Sequence, residues 1–155
     1  LGLYAGMPLT LSVLGDLFGG VTTDWLSRRF GLRLGRAGLG VVAYLVAGAG
    51  LFVAANAHHP LVATIGISVA MTGATFTLGS AWGTCLDIGG RHAGVVSATM
   101  NTAGNLASVL CPILAVYVKD LFGTWNAPLV LMAGLFLIGA SAWAFIDPRR
   151  QVFGD

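Results

Sequence analysis

Side chains able to do chemistry are few in this sequence, and most fall in two places. The first is a polar segment in which Gly20, Asp24, Arg28, Arg29 and Gly31 follow one another within twelve positions. Asp24 and Arg28 stand four apart, so a helix puts them on one face, where acid and cation can pair. Gly20 lies one turn earlier, and its missing side chain lets a neighbouring helix come close. The segment reads either as an ion pair that can switch or as a basic loop carrying one stray acid. The second place is a stripe of Ser97, Asn101, Asn105, Ser108 and Pro112, whose steps of 4, 4, 3 and 4 keep them on one helical face. An amide in apolar surroundings is costly unless it is paired or wetted. The stripe therefore lines a water-filled cavity or hydrogen-bonds helix to helix.

Outside these two places the polar signals are thinner. Asp16 is an acid inside an otherwise apolar run, about 12 Å along the helix from Asp24. It could carry a proton, or it could simply be solvated near a funnel. Thr75, Gly79 and Trp82 share a face, so Thr75 is a cavity candidate and Trp82 could stack on a solute, gate it or pack a helix. Gly73, Gly79 and Gly83 would let that segment bend. His58 and His59 precede Pro60 in a wet loop, and His92 sits at a helix start. Cys85 and Cys111 lie in apolar runs and read as free thiols, without metal-ligand spacing to any histidine. There is no Ser/His/Asp grouping, no paired carboxylates and no phosphate-binding loop. No enzyme, cofactor or metal is expected.

These residues have to be positioned by elements built for lipid. The chain has 155 residues, 56% hydrophobic and 9% charged, where a soluble domain carries about 25% charged. Eight basic and six acidic groups cannot wet a globule of this size, and the mean hydropathy is +0.84. A net charge of +2 is too small and dispersed for nucleic acid. Apolar runs at least as long as the roughly 20 residues that cross a bilayer predict five helices, at about 3–26, 37–57, 61–86, 93–118 and 125–146. The fold class is thus all-α, a polytopic transmembrane bundle over 1–146 with a tail at 147–155. Barrel strands would alternate polar and apolar residues, and these runs do not. Five spans put Arg28, Arg29, Arg33, Arg36, Arg91, Arg149 and Arg150 on one side and only Lys119 on the other. The arginine side, with the C-terminus, is then cytoplasmic. The chain opens inside an apolar run without an initiator Met, which predicts a piece of a longer protein with its N-terminal half upstream.

The pattern Gly20-x-x-x-Asp24-x-x-x-Arg28-Arg29-x-Gly31 resembles the cytoplasmic loop signature of the major facilitator superfamily. Trp25 stands where that signature has arginine, which favours its degenerate second copy, after helix 8 of twelve. The resemblance implies that the chain covers about helices 8–12, and that Gly20, Asp24, Arg28 and Arg29 form a conformational latch. The run Met100-Asn101-Thr102-Ala103-Gly104-Asn105 resembles helix 11 of the anion:cation symporter family within that superfamily. Ala81-Trp82-Gly83-Thr84-Cys85-Leu86-Asp87 is similar to the end of its helix 10, and Gly123-x-Trp125-Asn126 to its last external loop. By that resemblance Asn101 is the foremost substrate contact, its amide able to donate to a carboxylate or accept from hydroxyls. Asn105, Trp82 and Thr75 are further cavity residues, and Asp16 is a possible proton-linked acid. The implied activity is alternating-access symport of a small organic anion with protons, in the plasma (inner) membrane. No Lys or Arg lies inside a span, so a cation for the anion would come from the other half. A sugar or drug transporter of another branch, or a non-transporting scaffold, are the alternatives.

Overall fold

The computed structural model describes residues 2–152, with Leu3 and Ala5 described through their backbone alone. The last three positions of the expected tail, 153–155, lie outside the described residues. The molecule is all-α, with no strand among those residues. Helix α1 spans Gly2–Phe30 and is followed by a π-helical turn, Arg33–Gly38, that runs straight into α2, Leu39–Ala55. Then come α3 (Pro60–Phe76), α4 (Leu78–Gly89), a short 3-10 turn (Gly90–His92), α5 (Ala93–Phe122) and α6 (Asn126–Phe145).

Local chemistry sets these limits. Pro60 opens α3 with its φ already helical, and the His59 ring accepts the Leu61 N–H through Nδ1 at 3.2 Å. Helix α5 stops at Gly123, whose φ of 69° suits a residue without Cβ and whose N–H donates to the Lys119 carbonyl. The run expected as one span at 61–86 is two helices. Thr77 interrupts it, its hydroxyl donating back to the Ala74 carbonyl at 2.8 Å. Helices α4 and α5 then form a hairpin about the 3-10 turn, with the Cys85 thiol 3.3 Å from the Met100 sulfur.

Three helical stretches are long and apolar enough to cross a membrane: Arg33–Ala55, Pro60–Phe122, which contains the hairpin, and Asn126–Phe145. Helix α1, with Asp16, Asp24, Arg28 and Arg29, is not among them. The outside of the bundle is apolar along every helix; Leu17, Phe18, Val42, Phe52, Val109 and Ile138 are all well exposed. A water-facing surface does not carry so much contiguous hydrocarbon. The chain is an integral membrane protein.

Helix α2 is central, packed between α3 and α6, while α1 lies on α3 and α5 on α4 and α6. Lipid removes the hydrophobic drive between helices, so close backbone approach must hold them. The interior accordingly uses small residues, with Ala47, Ala70 and Ala133 around Leu51. A Cβ on Gly50 would stand 2.7 Å from the Gly66 carbonyl oxygen, so α2 and α3 touch backbone to backbone. Tyr44 on α2 meets Phe136 and Trp143 of α6 edge-on at 5.2 and 6.5 Å. Helix α5 has no buried residue and is the least enclosed element.

Candidate functional site

The arginine-bearing segments converge on one end of the bundle, and the ion pairs there centre on Arg36. Its place in the π-helical turn carries the side chain back across the ends of α1 and α4. Arg36 Nε donates to Asp87 Oδ2 at 3.0 Å, and its terminal nitrogen lies 3.6 Å from Asp24 Oδ1. The guanidinium is 14% exposed, Asp87 23% and Asp24 62%, so the Asp87 bond is shorter and drier and therefore the stronger. The guanidinium lies across the bare Cα of Gly83, where any side chain would overlap it. One arginine thus clamps the ends of two helices.

Just inside this clamp α1 and α4 meet without bulk between them. A Cβ on Gly79 would stand 2.8 Å from the Gly20 Cα, and fully buried Thr23 and Ser80 share a hydrogen bond of 2.8 Å. The Ser27 and Thr84 hydroxyls are buried here without a hydrogen-bond partner among the described residues.

The expected pairing of Asp24 with Arg28 needs correcting: the ion pair of Asp24 is with Arg36. Arg28 and Arg29 are exposed, and Arg29 lies over the Trp25 and Phe30 rings at 5.8 and 5.9 Å. Helical spacing allowed the Arg28 pair, but Arg36 is fixed from the other side by Asp87 and brings its charge to Asp24. Arg36 and Asp87 are the members that sequence reasoning missed. A signal existed, since Asp87 is the one acid between His59 and Lys119 and an acid at the lip of an apolar run needs a cation.

The tail closes over the same end. Pro148 is fully buried, and the Val152 N–H donates to the Ile88 carbonyl at 2.9 Å. Hydrogen bonds from Arg149, helped by its charge and that of Arg33, hold the Asp147 carboxyl well below the usual carboxylate range.

The expected cavity residues do not come together in this way. Asn101 and Asn105 are exposed on α5, with no side-chain hydrogen bond among the described residues. The rest of the stripe divides: Ser97 turns to Cys85, and Ser108 donates to its own helix at Gly104. Trp82 is 41% exposed on α4. Thr75 donates to the Ser12 carbonyl at 2.8 Å and so ties α1 to α3. Asp16 is exposed on α1, with no ion pair among the described residues. No group of three metal-ligating side chains occurs among those residues. At the opposite end Lys119 pairs with Asp120 at 2.9 Å and lies over Trp125.

No protein-family model matches the chain, and no solved structure matches it. Among curated proteins it is 32% identical to the probable sulfoacetate transporter SauU of Cupriavidus necator, over 98% of this chain and 36% of that protein. It is 27% identical to a chloroplastic ascorbate transporter of Arabidopsis thaliana and 26% identical to the chloroplastic probable anion transporter 1 of Oryza sativa subsp. japonica. Each of those two matches covers 97% of this chain and 28% of the relative. The chain spans about a third of the length of the curated relatives it matches. These relatives are named as transporters, not as enzymes.

Proposed function

We propose that this chain is part of a secondary active transporter that moves a small organic anion by alternating access, coupled to protons. The observation that carries the reading is similarity over 97–98% of the chain to three proteins named for transport of sulfoacetate, ascorbate and anions. Sulfoacetate and ascorbate are both small, oxygen-rich organic anions, the chemistry an amide-lined path suits. On this reading the chain contributes five spans, including α1, of a major facilitator fold resembling the anion:cation symporters. The other helices lie elsewhere in the protein, and the arginine-rich end faces the cytoplasm.

The Asp24–Arg36–Asp87 clamp supports a mechanism for switching. Rocking one group of helices against another requires a contact that is firm in one state and absent in the next. Arg36 holds α1 and α4 together from outside, while Gly20, Gly79, Thr23 and Ser80 allow close seating within. An exposed pair such as Asp24–Arg36 contributes about 0.2–1 kcal/mol, and the drier hydrogen bond to Asp87 about 1.5–3 kcal/mol. Against this stand the orphaned Ser27 and Thr84 hydroxyls, each costing about 1–3 kcal/mol and each free to find a partner when the helices part. Opposed terms of this size leave two states within reach of each other, as a carrier requires.

Asn101 and Asn105 are the proposed substrate-facing groups of α5, and Trp82 is the further candidate on α4. Thr75 keeps a lesser place, because its hydroxyl is engaged between helices. Asp16, exposed on α1, is the proposed proton-linked acid. The test is uptake by proteoliposomes of the intact protein, offered sulfoacetate, ascorbate and a panel of sugar acids with and without an inward proton gradient. Uptake of an anion that rises with the gradient is expected; no anion taken up in either condition would end the reading.

A further inference from the structure

A second feature of the bundle concerns the bilayer itself and does not depend on what is transported. Three apolar hollows run end to end along α2. The first lies among Leu34, Leu39 and Val42 near the arginine-rich end, with Phe30 on its wall. The second shares Leu39 and Val42 and continues to Val46 and Val69, and the third carries on from there to Val53. They form one groove between α1, α2 and α3. The two hollows nearest the arginine-rich end run from Leu34 to Val46, twelve residues and about 18 Å of helix, somewhat over half of a hydrocarbon core of about 30 Å. That is the reach of an acyl chain from one leaflet.

The mouth of the groove carries more positive charge than the acids near it balance. Arg28, Arg29 and Arg33 are exposed there and make no ion pair among the described residues. The nearby acids are bonded to other arginines, Asp24 and Asp87 to Arg36 and Asp147 to Arg149, with Arg33 adding only its charge at Asp147. Arg29 lies over the ring of Phe30, which is itself a wall of the groove, so its guanidinium is held beside the opening. Arg33 immediately precedes Leu34, which lines the groove, and its charge also acts on Asp147.

We propose that this groove is a binding site for an anionic phospholipid, with one acyl chain along α2 and the headgroup phosphate on Arg29 and Arg33. A lipid phosphate supplies the negative charge that Arg28 and Arg29 find in no acid among the described residues, and a further helix seated in the groove would instead leave no retained lipid. The site would tie the state of the π-helical turn, and so of Arg36, to the lipid beside it.

The intact protein is reconstituted in vesicles of equal phosphatidylglycerol and phosphatidylcholine, extracted gently, and its retained lipid identified by native mass spectrometry. About a thirtyfold preference for phosphatidylglycerol is expected, about fivefold for each of the two arginines near an anionic surface. The double substitution R29Q/R33Q should bring the two lipids to near parity. Val42→Trp, which fills the groove and leaves the charges, should reduce retention of both lipids. Parity in the unsubstituted protein would overturn the site. So would phosphatidylglycerol retention that neither set of substitutions lowers, or no retained lipid at all.

Discussion

At the scale of single residues the arginine-rich end turns on Arg36 and the unequal acids beside it. Asp24 is 62% exposed and 3.6 Å away, Asp87 is 23% exposed and 3.0 Å away, so replacing each should have different consequences. Asp87→Asn leaves a half-buried guanidinium with its better partner gone. It should shift the balance of states by about 1.5–3 kcal/mol, roughly tenfold or more. Asp24→Asn should shift it by less than about 1 kcal/mol. Substrate counterflow measured beside equilibrium binding would read this, with exchange slowed, binding kept, and Asp87→Asn the stronger. Equal effects, or loss of binding alone, would remove the clamp. Gly83→Ala tests the same point without touching a charge, because the added methyl must displace the guanidinium. Its counterflow should resemble that of Asp87→Asn. The sequence made Asp24 legible, through its spacing from Gly20 and Arg28. It did not reveal Arg36–Asp87, because that pair is 51 positions apart and no local periodicity reports on a contact across the bundle.

At the scale of elements, the helical type was legible, but the number of helices, six where five were expected, and some of their joints were not. Composition and run length announce helices wherever a backbone must satisfy itself in lipid, so α2, α5 and α6 fall close to where the apolar runs lie. The break at Thr77 left no mark in hydropathy, since a threonine that hydrogen-bonds its own carbonyl is as compatible with a continuous helix as with a broken one. The π-helical turn at Arg33–Gly38 was equally silent, yet it is what aims Arg36 at two helix ends. What joins the helices is the small-residue contact, and it can be tested on its own. Gly66→Leu drives a side chain into the Gly50 carbonyl and Ala54, both backbone-tight. The α2–α3 seam should open at a cost of about 1–3 kcal/mol or more, as overpacking does. The expected readout is a lower unfolding temperature in detergent and a broadened gel-filtration peak. Gly134→Leu, where no atom lies near the added Cβ, should leave both unchanged.

At the scale of the whole molecule the question is which solvent meets α5. The helix has no buried residue, and Asn101 and Asn105 stand on it without a partner among the described residues. Two bare amides facing hydrocarbon would be costly, whereas a wet seam between this bundle and further helices would accommodate them. The sequence raised the stripe but could not show its outlook, because periodicity fixes which residues share a face and not what lies opposite. Labelling can settle the outlook. Cys111 is exposed on α5 and must first become Ser, while Cys85 is buried and can stay. In that background Asn101→Cys and Asn105→Cys should react with a charged, membrane-impermeant maleimide, since only a thiol ionised in water attacks it. A transported anion should slow the reaction at Asn101→Cys. Leu106→Cys and Leu110→Cys, at exposed apolar positions turned away from the stripe on the same helix, serve as lipid-facing references. Asparagine positions no more reactive than those two would place the amides in lipid, and the proposed translocation path would then have to leave α5.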